Sequence, residues 1–142
     1  MKLWVKIVLF AVLVIVITAI CVGLHKFNLK HPDTAKAKPD FVVAATVLQK
    51  EFEDNEGTAS SKYINKILEV SGTIASTAPS DSAHLNVSLK TGSDISSVNC
   101  VLPATGDLSK FKPGEEITLR GECSGFLMDV LLKNCAIITK RN

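Results

Sequence analysis

Residues 111–138 read FKPGEEITLRGECSGFLMDVLLKNCAII, and their reading decides the fold. KPGE (112–115) is a turn signal, ITLRGEC (117–123) has the composition of a strand, and DVLLKNCAII (129–138) has that of a second one. The intervening SGFLMD predicts a connecting loop from Ser124 to Asp129. Two cysteines, Cys123 and Cys135, flank this segment, and they raise four possibilities: metal ligands, a redox pair, a disulfide or core residues.

Outward from this stretch the same period recurs. KILEVSGTIAS (66–76) places Leu68, Val70, Gly72 and Ile74 on one face and Glu69, Ser71 and Thr73 on the other. HLNVSLK (84–90) alternates through Leu85, Val87 and Leu89. Beyond the turn signal TGSD, SSVNCVL (96–102) aligns Val98, Cys100 and Leu102, and PATGDLSKFKPGEE forms a connection with room for a helical turn. Ahead of these strands, Phe41, Ala44, Ala45, Leu48 and Phe52 recur at spacings of three and four, which predicts a helix capped by Asp40 and fading near Gly57. Its carboxylates Glu51, Glu53, Asp54 and Glu56 match no calcium loop and read as a solvated face. One helix followed by five short strands predicts a mainly β domain, a small five-stranded barrel.

The N-terminal segment is of another kind. IVLFAVLVIVITAICVGL (7–24) is eighteen residues without a charge, and with residues 3–6 it is long enough to span a bilayer. It exceeds the apolar core of a typical cleaved signal. A lipoprotein signal would lipidate Cys21, but Ile20 stands where a small residue is normally required, so an uncleaved anchor over residues 1–24 is the preferred reading. Lys2 and Lys6 lie on one side and Lys26 and Lys30 on the other, so flanking charge barely orients the span. Residues 25–39 read as a flexible linker, and His25 and His31 within it lack the partners of a metal site. Residues 40–142 then form the globular domain.

Tyr63 leading into the first strand, Val70-Ser71-Gly72 within it, the K-x-G-x-x-x-T-x-x-G-x-C run from Lys112 to Cys123 and D-V-x-L-x-x-C from Asp129 to Cys135 together resemble the tRNA-anticodon-like OB-fold family of small bacterial proteins, often membrane-associated. The resemblance spans residues 40–139 and implies a five-stranded OB barrel preceded by a helix. It implies no tRNA binding, because a shared fold does not carry a function.

In such a barrel the loop between the last two strands commonly lines the ligand face. That makes Ser124, Phe126, Leu127, Met128 and Asp129 the candidate ligand-binding residues, with Phe126 also able to close one end of the barrel. The last strand lies beside two others, so Cys135 can neighbour Cys100 or Cys123. A hairpin centred on Asp129 sets Cys123 opposite Cys135, the candidate disulfide of an exported domain, and leaves Cys100 free. A cytosolic location would make all three core residues.

The net charge of +2 divides into +5 over residues 1–39 and −3 over residues 40–142, where ten basic residues face thirteen acidic ones. A nucleic-acid-binding domain usually carries clustered positive charge and stacking aromatics. No aromatic residue stands between Leu85 and Leu102, so a single-stranded nucleic-acid-binding module is the disfavoured alternative. No close cysteine pair marks a zinc or redox site, His84 is the domain's one histidine, and no nucleophile elbow or phosphate loop occurs, so no metal, no cofactor and no catalytic residue is expected. The sequence therefore predicts a nonenzymatic OB-fold binding module. It is held in the membrane by residues 3–24, has its domain on the extracytoplasmic side, and has a protein or polymer of the bacterial envelope as partner.

Overall fold

The computed structural model describes residues 2–27, 33–104 and 110–141. His31, Lys30 and five residues of the connection after Pro103 lie outside these. The chain forms two compact units, residues 1–31 and 32–142.

The first unit contains one helix, α1 (Leu3–Phe27), and its stretch Leu3–Gly23 is 21 residues long and apolar enough to cross a membrane. Its apolar side chains face outward on all sides, as a lipid-facing helix requires.

The second unit is mainly β. Its elements are β1 (Phe41–Ala44), α2 (Ala45–Asp54), α3 (Glu56–Tyr63), β2 (Ile67–Pro79), β3 (His84–Lys90), β4 (Ser97–Pro103), β5 (Glu116–Leu127) and β6 (Asp129–Arg141). The strand order β2-β3-β4-β6-β5 closes on itself through antiparallel pairing of β2 with β5. This is the five-stranded OB barrel that the sequence predicts. The strand β2 is shared between neighbours: residues 67–73 pair with β5, while residues 74–79 pair with β3 beyond an irregularity between Ile74 and Ser76. Bending at that point lets one long strand belong to two sides of a barrel. The one parallel barrel contact, β4 with β6, sets Cys100 beside Leu132.

Alternation fills the interior. Leu68, Val70, Ile74, Leu85, Val87, Leu89, Val98, Cys100, Leu102, Leu119 and Leu132 are all buried, so every apolar position the period picked out in the first three barrel strands lies on the inward face, Gly72 included. Gly72 is where α2 crosses: a β carbon there would sit 3.0 Å from that of Ala45.

The helix differs from its expected form in two ways. Phe41–Ala44 is a strand, parallel to β2 with Phe41 beside Leu68, and Asp40 caps nothing. Instead the Asp40 carboxylate accepts from Ile67 N at 2.9 Å while its own N–H donates to Ile67 O. Val42 and Val43 are β-branched and suit a pleated edge, and helical geometry begins only at Ala45. The helix also breaks at Asn55, whose side chain accepts from Thr58 N at 3.0 Å and starts α3. Leu48 and Phe52 of α2 are buried against the barrel, with Tyr63 packed edge-on to Phe41 at 5.2 Å.

Residues 33–37, within the segment read as a linker, touch the barrel. Thr34 is buried and donates to Asn134 O. The carbonyls of Ala35 and Ala37 accept from Arg120 Nη1 at 3.1 and 2.8 Å, and the same guanidinium holds Glu69 Oε2 at 2.6 Å.

Candidate functional site

The last two strands form one long hairpin rather than two strands joined by a loop. β5 runs on to Leu127, β6 starts at Asp129, and Leu127 pairs with Asp129 across a turn made by Met128 alone, at φ 67°. The segment Ser124–Asp129 is thus a hairpin tip. Gln49 of α2, itself buried, fixes the tip by donating from Nε2 to Met128 O at 2.8 Å.

The five candidate residues take different parts. Ser124 donates to Leu131 O across the hairpin. Phe126 packs against the core and stacks on Phe52, with ring centroids 5.2 Å apart. Asp129 is a structural pin: Oδ1 accepts from Ser97 N at 2.6 Å and Ser97 Oγ at 3.0 Å, and Oδ2 accepts from Asn99 Nδ2 at 3.1 Å. Leu127 and Met128 are the exposed apolar residues of the five, at 79% and 67%.

Beside them stands a residue that the sequence reading passed over. Ile95, in the β3–β4 connection, is 80% exposed. It joins Leu127, Met128, Phe126 and Phe52 around a groove of about 730 Å³ whose remaining lining comes from Glu53, Glu56 and Ser96. A single isoleucine in the polar run TGSDISS has no periodicity to mark it, but its isolation there is itself the available signal.

The cysteines are placed differently from the expected pairing. All are free thiols, and Cys123 pairs with Leu132, not Cys135. The hairpin centres one residue earlier than Asp129, and register shifts between Arg120 and Glu122 and between Cys123 and Gly125 move the two strands relative to each other. Asn134, at φ 52°, turns Cys135 inward out of alternation, so its sulfur lies over Gly121. The neighbouring Cys135 thiol and burial push the Cys100 thiol well up, and burial raises Cys123 to about 11.

On the β3–β4 face, where OB barrels often bind single strands, part of the outward polar row bonds to itself, while Asn86 Oδ1 is buried without a partner among the described residues. Ser88 Oγ donates to Asn99 Oδ1 at 2.6 Å, and Asn99 in turn bonds Asp129. The domain's five aromatic rings, Phe41, Phe52, Tyr63, Phe111 and Phe126, all belong to the core or pack against it. Among the described residues no group of three or more His, Cys, Asp or Glu side chains is arranged to hold a metal ion.

Several solved structures resemble the chain. A presumptive nucleic acid-binding lipoprotein of Klebsiella pneumoniae is 18% identical, with a TM-score of 0.53, covering 68% of this chain and 91% of its own. The Stn1–Ten1 complex of S. pombe is 16% identical, with a TM-score of 0.41, covering 53% of this chain and 57% of its own. At its identity the likeness to the lipoprotein is one of fold. No significant match exists among curated proteins. The family model described as tRNA_anti-like matches residues 1–137, nearly the whole chain, and the chain belongs to that family.

Proposed function

We propose that this chain is a membrane-anchored binding module. Residues 3–24 cross the bilayer once, the barrel works on the extracytoplasmic side, and the hairpin tip docks a protein of the cell envelope. The observation that carries this reading is the exposure of Ile95, Leu127 and Met128 around the Phe52–Phe126 stack. Water-exposed apolar side chains gathered over packed aromatic rings have the composition of an interface centre. A polymer rich in hydroxyls would need several free polar partners, whereas Ser88, Ser97, Asn99 and Asp129 bond each other and Asn86 Oδ1 is a single unpartnered acceptor beside them. Single-stranded nucleic acid would need open rings and positive charge, and the domain offers packed rings and a net −3. The reading is nonenzymatic, with His84 on the surface against Asp81 at 2.9 Å.

Photo-crosslinking in cells tests it, with a benzophenone amino acid placed at Leu127 or, as a control on another face, at Lys90. The expected result is a discrete protein adduct from position 127 that is absent from position 90. Adducts to nucleic acid, or the same adducts from both positions, would sink the reading.

A further inference from the structure

The groove at the hairpin tip is apolar along its floor and acidic on its wall. Phe52 and Phe126 line it with Ile95, Leu127 and Met128, and its charged lining residues are Glu53 and Glu56, with no lysine or arginine among them. The Glu53 carboxylate is held in place, its Oε1 accepting from Gln49 Nε2 at 3.1 Å and Ser96 Oγ at 2.9 Å. Asp54 ends α2 beside these residues, and the last turn of that helix carries no basic residue. Glu56 opens α3 and Lys62 is paired with Glu51, so the negative character of the groove rests on the Glu53 and Glu56 carboxylates themselves.

The groove is also preformed on the side of the hairpin tip. The turn at Met128 is fixed by the buried Gln49 amide, and Asp129 ties the start of β6 to Ser97 and Asn99. A site that is apolar, acidic and already shaped selects against two of the obvious occupants. Anionic lipid headgroups and phosphate backbones would meet Glu53 and Glu56 at the point of contact, with like charges opposed.

We propose that this groove takes a peptide segment in which apolar side chains are accompanied by lysine or arginine. This rests on the reading that the hairpin tip docks a protein, and names the chemistry of what it docks. Apolar side chains of the segment lie against Ile95, Leu127, Met128 and the edge of the half-buried Phe126, and its cation lies against Glu53 and Glu56. The apolar contact supplies most of the affinity, and the carboxylates decide which sequences fit.

The test is selection from a phage-displayed library of random peptides on the full chain in nanodiscs of zwitterionic lipid. Clones that also bind a Leu127→Ser, Met128→Asn double variant are discarded. Both positions are exposed, and asparagine tolerates the positive φ at 128, so the variant keeps the barrel; its thermal unfolding checks this. Selected peptides are expected to combine apolar residues with lysine or arginine. Glu56→Lys should weaken such a peptide by about threefold, the scale of an exposed ion pair, and selection on that variant should shift toward aspartate and glutamate. No enriched peptide, or enriched peptides whose charge is indifferent to Glu56→Lys, would overturn the inference. A protein adduct from position 127 together with charge-indifferent peptides would leave the docking reading standing and remove only the cationic segment.

Discussion

At Gly121 a β carbon would lie 2.4 Å from Cys135 Sγ and 3.1 Å from Lys133 O, so β5 has no room for a side chain there. Gly121→Ala is expected to destabilise the chain by about 1–3 kcal/mol, the usual cost of overpacking. Adding Cys135→Ala should recover part of that loss, because the sulfur is gone and only the carbonyl remains. Denaturant unfolding of the two single variants and the double variant checks this: additive losses would mean that the sulfur is not what Gly121 accommodates. Residues of this kind were only half legible. The G-x-C spacing of Gly121 and Cys123 marks a constrained strand, but the sequence reading aligned Cys123 with Cys135. That alignment assumed an unbroken ladder, whereas Asn134 adopts φ 52° and shifts Cys135 onto Gly121 and toward Cys100. Left-handed asparagines leave no periodic trace, so the slip could not be seen in advance.

Elements were read more securely where alternation was long. Strands β2, β3 and β4 follow their apolar positions closely, because a period of two commits each residue to one face. The N-terminal boundary of α2 was not legible, since Phe41 and Ala44 fit a helical spacing as well as the short strand they form. Two predictions belong to this scale. The Arg120 guanidinium joins β5 to Glu69 and to the carbonyls of Ala35 and Ala37. Arg120→Met should therefore cost about 1–3 kcal/mol, leaving those acceptors without their charged donor, and should speed tryptic cleavage after Lys36. Unchanged cleavage would show that residues 33–37 are held by something else. The α2–α3 junction carries the second. Lys62 donates to Glu51 Oε2 at 2.8 Å and Tyr63 Oη does so at 2.9 Å, and these bonds, the lysine's foremost, hold the Glu51 carboxyl below its ordinary value against a smaller opposing effect of burial. With its folded pKa below the unfolded one, the native chain binds fewer protons in that interval. The stability from Glu51 is complete above the unfolded value and is lost as pH falls through the folded one. Melting temperatures taken from about pH 6 down to about pH 3 should fall less steeply for Glu51→Gln than for the parent chain; equal slopes would remove Glu51 from the acid response.

At the scale of the molecule, the chain joins an apolar helix able to cross a membrane to a small closed barrel of a family built on that fold. Both halves were legible, the first from eighteen uncharged residues and the second from strand periods and turn signals. The candidate site was legible in part. Leu127 and Met128 stood out in SGFLMD, but the groove also needs Ile95, Phe52, Glu53 and Glu56, which the closed barrel brings together from distant parts of the sequence. Asp129 and Ser124, grouped with them by position, also bond within the hairpin and to β4, Ser124 while remaining exposed.

Docking of a protein on this groove is the central claim, and footprinting in cells tests it most directly. Cysteine is placed at Ile95 or, as a control, at Lys90, and the rate of labelling by a membrane-impermeant maleimide is compared between intact cells with a permeable outer layer and the purified chain. The native cysteines of the barrel are buried and should stay silent in the folded protein. The account predicts that both positions label from outside the inner membrane, with Ile95→Cys several-fold slower in cells than after purification and Lys90→Cys unchanged. Equal rates for Ile95→Cys in the two settings, or labelling of either position only after the inner membrane is broken, would contradict it.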